Sequence, residues 1–125
     1  MNLPTSPTEY RAFDTGATRS KDDNKPDYEG FFCPLVLERY GRYMHSHRAQ
    51  PDGTLRASDN WQKGIPLTAY VKSLVRHVFQ VWKLHRGYTV LDWDTGKPVD
   101  MEEMLCAIAF NTFGYLHELL VKRGS

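Results

Sequence analysis

The run from residue 100 to residue 122, DMEEMLCAIAFNTFGYLHELLVK, constrains the fold more than any other stretch of the chain. It opens with Asp100 three residues before Glu103, the spacing of a capping box with Asp in the N-cap position. It then stays apolar on nearly every side of a helical wheel. A helix of that kind needs neighbours on several flanks, so it belongs in the middle of a bundle or in a subunit interface. The expectation is a homo-oligomer, a dimer first of all, in which helices complete each other's bundle.

Two further helices are predicted. Pro34 suits a first helical turn, where its missing N–H would have no partner anyway, and the helix runs through LVLERYGRYMHSHR to about Arg48. Successive residues turn about 100°, which puts Val36, Leu37, Tyr40, Tyr43 and Met44 on one face and Glu38, Gly41 and His45 on another. A second helix starts near Pro66 and ends at His85, where Arg86 and Gly87 supply a basic last turn and a stop. Leu67, Val71, Leu74, Val75, Val78, Val81 and Trp82 share one side, with Lys72, Arg76 and Lys83 opposite, the clearest amphipathic pattern in the chain.

The connections are rich in turn formers. Residues 49–65 contain QPDGT and SDN and read as a loop, and 88–99 (YTVLDWDTGKPV) as a loop or short hairpin. Residues 1–27 hold Pro4, Pro7, Gly16, Pro26 and the polar run SKDDNK without helical or strand periodicity, so they read as an extended arm. The predicted fold is therefore all-α: a small helical bundle of three main helices in a single domain over 28–125, with an extended N-terminal arm over 1–27.

Composition narrows function by exclusion. At 125 residues the chain has room for one core. Sixteen Lys and Arg against fifteen Asp and Glu leave a net charge of +1, so no overall field favours DNA, RNA or an anionic membrane, and any phosphate recognition must be local. Cys33 and Cys106 lie far apart without CxxC spacing and read as reduced, buried thiols rather than zinc ligands or a disulfide. No stretch forms the continuous apolar run of roughly 20 residues that a membrane span needs, and the N-terminus has no basic region followed by an apolar one. A soluble, cytoplasmic protein is expected. Walker loop, GxGxxG, GxSxG and HExxH patterns are all missing from the sequence.

The candidates for chemistry are few, and each has a structural alternative. Glu103, Ala107, Asn111 and Gly114 fall within about 80° on the third helix. Either two polar groups framed by two small residues leave space for a ligand, or Glu103 only caps, Ala107 and Gly114 admit a neighbouring helix, and Asn111 bonds in the core. His77 is a half-buried packing residue or an acid–base group. Glu38 is a solvated carboxylate or a ligand. Carboxylates on facing helices of a bundle suit Mg²⁺ or Mn²⁺, hard cations that take oxygen ligands and keep positions open for phosphate oxygens.

Read in order, FDTGATR (13–19), Lys25 to Tyr28, PLVLERY (34–40), DNWQKG (59–64), SLVRHVFQVW (73–82) and FNTFGYLHELL resemble the dATP/dGTP diphosphohydrolase family of phages and prophages, distant relatives of the MazG-type nucleotide pyrophosphatases. That resemblance implies hydrolysis of a purine deoxynucleoside triphosphate between the α and β phosphates, giving monophosphate and pyrophosphate, with Mg²⁺ or Mn²⁺. It implies Glu38, Asp100 and Glu103 as metal ligands, with Glu102 as a possible helper and Glu38, His77 and Glu103 as the catalytic set. Asn60, Trp61, Lys63, Arg76 and Asn111 would bind substrate, Trp61 by stacking on the base and Lys63 and Arg76 by neutralising phosphate. A phage protein acting in the host cytoplasm on its nucleotide pool is the implied setting.

Overall fold

The computed structural model describes residues 10–21 and 23–124. It is mostly helical, with one small antiparallel sheet, and it divides into two compact units, one ending at Val36 and one beginning at Leu37.

In the first unit, β1 (Tyr10–Ala12) pairs with β2 (Thr18–Ser20) in the register Tyr10↔Ser20, Arg11↔Arg19 and Ala12↔Thr18. Over residues 10–20 the expected extended arm, which showed no strand periodicity, carries this hairpin, and the chain is mainly helical rather than all-α. A three-residue strand is too short for period-two alternation to show, and the hairpin rests on its turn. Phe13 N donates to Ala17 O at 2.9 Å, and Gly16 takes φ 88°, a conformation open to glycine. The arm's first nine residues lie outside the described ones. A short helix, α1 (Tyr28–Phe31), follows, capped by Asp27, whose side chain accepts from Gly30 N at 3.0 Å.

The three expected long helices are α2 (Pro34–Ser46), α3 (Leu67–His85) and α4 (Met101–Gly124). The α4 start is where the capping argument puts it, since Asp100 Oδ2 accepts from Glu103 N at 3.2 Å. α3 and α4 form the principal pair. Along α4 the packed stripe is the one made of small residues: Cys106, Ala107, Asn111 and Gly114 are buried. Gly114 lies so close to the Tyr70 ring that a Cβ there would overlap it. Tyr70 is only 1 % exposed and meets Phe110 edge-on, with ring centroids 5.9 Å apart. The space framed by Ala107 and Gly114 is thus occupied at Gly114 by a tyrosine from α3. α2 reaches α4 through long side chains: Tyr43 joins Cys106 and Ala107 in the core cluster, and Tyr40 packs edge-on against Phe113 at 5.7 Å.

The buried face of α3 is rotated from the predicted one. Tyr70 and Gln80 are buried and Leu74, His77, Val81 and Leu84 half-buried, while Val71, Val75, Val78, Phe79 and Trp82 are exposed. The apolar arc is wider than one neighbouring helix covers, and the tyrosine that fits Gly114 decides which edge turns inward. α4 likewise exposes Leu105, Phe113, Leu116 and Leu120. Although polar residues interrupt it, Met101–Arg123 is apolar enough in mean hydropathy and long enough to cross a membrane, with 22% of its most apolar window buried. Cys106 is buried as expected, and its thiol is pushed up by that burial, whereas Cys33 is exposed.

Candidate functional site

The segment between α3 and α4 folds back as a tight loop. Asp92 N donates to Lys97 O at 2.8 Å, and Val99 N to Val90 O at 2.9 Å. The Asp92 carboxylate accepts from the backbone N–H of Asp94 at 2.9 Å and of Thr95 at 2.8 Å, and these bonds hold it below the usual carboxylate range. The loop delivers Asp92 and Lys97 beside the α4 start with Asp100 and Glu103. Tyr43 from the last turn of α2, His47 just beyond its end and His77 from the middle of α3 complete the walls of an open cleft of about 440 Å³. His77 Nδ1 lies 2.8 Å from Gln80 Oε1, so this bond fixes the ring with Nδ1 as donor and leaves Nε2 for another partner.

The carboxylates at the head of α4 have a resident partner that the sequence reading missed. Arg39 Nε donates to Glu102 Oε1 at 2.8 Å, its terminal nitrogen donates to Glu103 Oε1 at 2.9 Å, and Asp100 Oδ2 lies 3.9 Å away. Bonding to Glu103 and then Glu102 raises the arginine's already high pKa, so it is a permanent cation in this position. The clamp ties α2 to α4. Its only signal in sequence is a basic residue one position from Glu38, and Glu38 itself is placed differently. Its carboxylate accepts from Arg42 at 3.0 Å, one turn along the same exposed helix face.

A second cleft adjoins this one, and Tyr43 and His47 line both. His47 Nδ1 donates to Tyr43 O at 2.8 Å, and the two rings stand 4.1 Å apart, so the dividing wall is held by its own bond and ring contact. Burial pushes the Tyr43 hydroxyl up to about 12. This cleft, about 160 Å³, is lined by Trp61, Asn60, Phe110, Arg48 and Arg56 among others. Trp61 and Asn60 arrive on a short 3₁₀ turn, Asn60–Lys63. The tryptophan is seated edge-on against His117 at 4.7 Å and Phe110 at 6.5 Å. Arg48 and Arg56 stand at the mouth of a small hairpin, closed by Arg56 N donating to Arg48 O at 2.8 Å and Arg48 Nε donating to Arg56 O at 2.7 Å.

The predicted site residues therefore divide. His77, Asp100 and Glu103 share one cleft, Asn60 and Trp61 share the adjoining one, and Glu38 belongs to neither. Arg76 lines a separate cleft with Phe79, Lys83 and Trp93, and bonds Ser73 at 3.0 Å. Lys63 is exposed at the end of the 3₁₀ turn. Asn111 is buried at 5% exposure and donates from Nδ2 to Ala107 O at 2.8 Å, the core bond that was its structural alternative. Among the described residues no group of three or more His, Cys, Asp or Glu side chains is arranged as a ready metal centre. Tyr43, His47, Arg48 and Arg56 were not singled out beforehand, because a wall between two clefts is a tertiary feature without a local motif. Compared with family models, with curated proteins and with solved structures, the chain matches none.

Proposed function

We propose that the chain binds a purine deoxynucleoside triphosphate across the two adjoining clefts and, with Mg²⁺ or Mn²⁺, hydrolyses it to monophosphate and pyrophosphate. The observation that carries the reading is the shared Tyr43–His47 wall, with an aromatic, arginine-lined cleft on one side and an acidic one on the other. The family resemblance supplies the reaction.

The donor chemistry suits a hard divalent cation. Asp100 and Glu103 offer carboxylate oxygens to the same cleft, with Glu102 adjacent, and Arg39 engages one oxygen of each glutamate. Those carboxylates would hold the cation, and the chemistry it would supply when bound is neutralisation of phosphate charge and a lowered pKa for a bound water. Glu38 is left out of the set because it lines neither cleft and lies on the exposed face of α2 beside Arg42. His77, oriented through Nδ1 by Gln80, keeps Nε2 uncommitted and is assigned the role of orienting the attacking water. Lys97 lines the same cleft and takes the phosphate-neutralising role first given to Arg76 and Lys63. Trp61 packs against the base.

Assembly and setting belong to the same proposal. The exposed stripes of Val71, Val75, Val78 and Trp82 on α3 and of Leu105, Leu116 and Leu120 on α4 support a dimer of this chain, which a monomer by light scattering at working concentration overturns; the cytoplasmic setting rests on the family resemblance alone.

A second reading, nucleotide binding without cleavage, is favoured by one observation: Arg39 already neutralises Glu102 and Glu103. Gly41 and Cys106 also stand where the MazG-type pattern has the second carboxylate of each pair. Incubation with each dNTP and Mg²⁺ or Mn²⁺, followed by chromatography, decides between them. Monophosphate plus pyrophosphate from the wild type and not from a folded Glu103→Gln variant is expected. Intact triphosphates with the wild type overturn hydrolysis, and a nucleotide-induced rise in melting temperature then supports binding alone.

A further inference from the structure

Resting on the reading that the two clefts hold a nucleotide, we infer that the Trp61 cleft is the base pocket and that Arg48 and Arg56 make it selective for a 6-oxopurine, such as guanine, over a 6-aminopurine. Three observations carry this. First, the cleft measures about 160 Å³, below the roughly 300 Å³ at which pockets begin to enclose whole drug-sized ligands, so it suits one ring system of a nucleotide rather than the entire molecule. Second, its walls include Tyr43, Trp61 and Phe110, aromatic groups that favour a planar ring over a hydrated phosphate. The acidic cleft beyond Tyr43 and His47 is left for the phosphates and their cation. Third, the Arg56 guanidinium has no hydrogen-bond or carboxylate partner among the described residues, and Arg48 uses only Nε, on the Arg56 carbonyl.

An arginine is donor-only. Its paired N–H groups match the O6 and N7 acceptors on one edge of guanine, the commonest specific contact an arginine makes with a base. Adenine presents an N6 donor at the corresponding position, which faces the guanidinium donor to donor. Asn60, with both a donor and an acceptor, is compatible with either base and does not reverse the preference. The mouth hydrogen bonds of the hairpin over 48–56 set the two arginine backbones side by side and hold Arg48 through Nε, while the Arg56 guanidinium stays uncommitted for a ligand.

Calorimetric titration with the nonhydrolysable α,β-methylene triphosphates of deoxyguanosine, deoxyinosine and deoxyadenosine in Mg²⁺ tests this. Deoxyinosine shares O6 and N7 with deoxyguanosine and lacks its 2-amino group. The expected result is that the deoxyguanosine and deoxyinosine compounds bind about fivefold or more tighter than the deoxyadenosine compound. Arg56→Gln, at an arginine whose side chain bonds nothing else described, should bring all three within about twofold of one another without a change in melting temperature. Equal wild-type binding of the three overturns the inference and leaves the proposed function standing. Binding of none of them overturns both. An Arg56→Gln variant that weakens all three equally, with inorganic tripolyphosphate competing in the wild type alone, shows the arginine holding phosphate and overturns the inference.

Discussion

Replacing Gly114 with alanine sets two effects of known sign against each other. In a helix interior alanine is favoured over glycine by about 1 kcal/mol, so an exposed site would gain stability. Here the added Cβ would overlap three atoms of Tyr70, namely Cε1, Cζ and the hydroxyl oxygen. That ring is 1 % exposed and has Phe110 edge-on at 5.9 Å, so it has little freedom to retreat. Overpacking of a closed core costs typically ~1–3 kcal/mol, and three simultaneous overlaps against a rigid ring put this case near the upper end. The net expectation is a loss of about 1–2 kcal/mol after subtracting the propensity gain. For a chain of this length that is a fall of roughly 4–8 °C in melting temperature. Thermal and urea melts followed by circular dichroism measure it. A double-mutant cycle with Tyr70→Phe, which removes one of the three overlapping atoms, should recover part of the loss, as expected for side chains in direct contact. A Gly114→Ala protein more stable than the wild type would refute the seating of Tyr70 on Gly114, and with it the packing that orients α3 against α4.

Other consequences follow from the same geometry. Burial raises the Tyr43 hydroxyl to about 12, while an unfolded tyrosine titrates near 10, so the unfolded chain loses its proton first as pH climbs. Stability from this group is full below pH ~10 and is lost between about 10 and 12; alkaline melts of Tyr43→Phe should show a shallower decline than the wild type, and parallel curves would contradict this. Arg39→Gln removes the bonds that tie α2 to Glu102 and Glu103, so its melting temperature should fall and the fall should shrink at high salt; an unchanged melt would mean the clamp contributes nothing. Because Lys63 and Arg76 line neither of the two adjoining clefts, Lys63→Ala and Arg76→Ala should leave nucleotide affinity within about twofold of wild type, and a larger loss returns them to the site.

What was legible in the sequence was whatever local physics decides. Pro34 at the first turn of α2 and Asp100 capping α4 marked helix starts correctly, because each acts through groups within a few residues of itself. Which face of α3 turns inward was not legible. Valines supply an apolar arc too broad to choose an edge, and the choice falls to Tyr70, whose fit depends on a glycine 44 positions later in the chain. The candidate site divides along the same line. Asp100 and Glu103 sit three residues apart on one helix and stay together, as their spacing requires. Glu38 points at Arg42 and Arg39 reaches Glu103, an exchange between neighbouring positions of α2 that only the crossing of two helices can settle. Arg48 read as the end of the first long helix and Arg56 as part of the loop after it, because the hairpin that joins them matters only through the cleft it borders.

The central claim is that one nucleotide spans the wall formed by Tyr43 and His47. Heteronuclear NMR titration with α,β-methylene dGTP and Mg²⁺ tests it most directly, since the Trp61 indole N–H and the amides of Asp100 to Glu103 report the two clefts separately. The account predicts that both sets of signals shift along one saturation curve with a single dissociation constant. Shifts confined to one cleft, or gathered instead around Arg76 and Trp93, would contradict it.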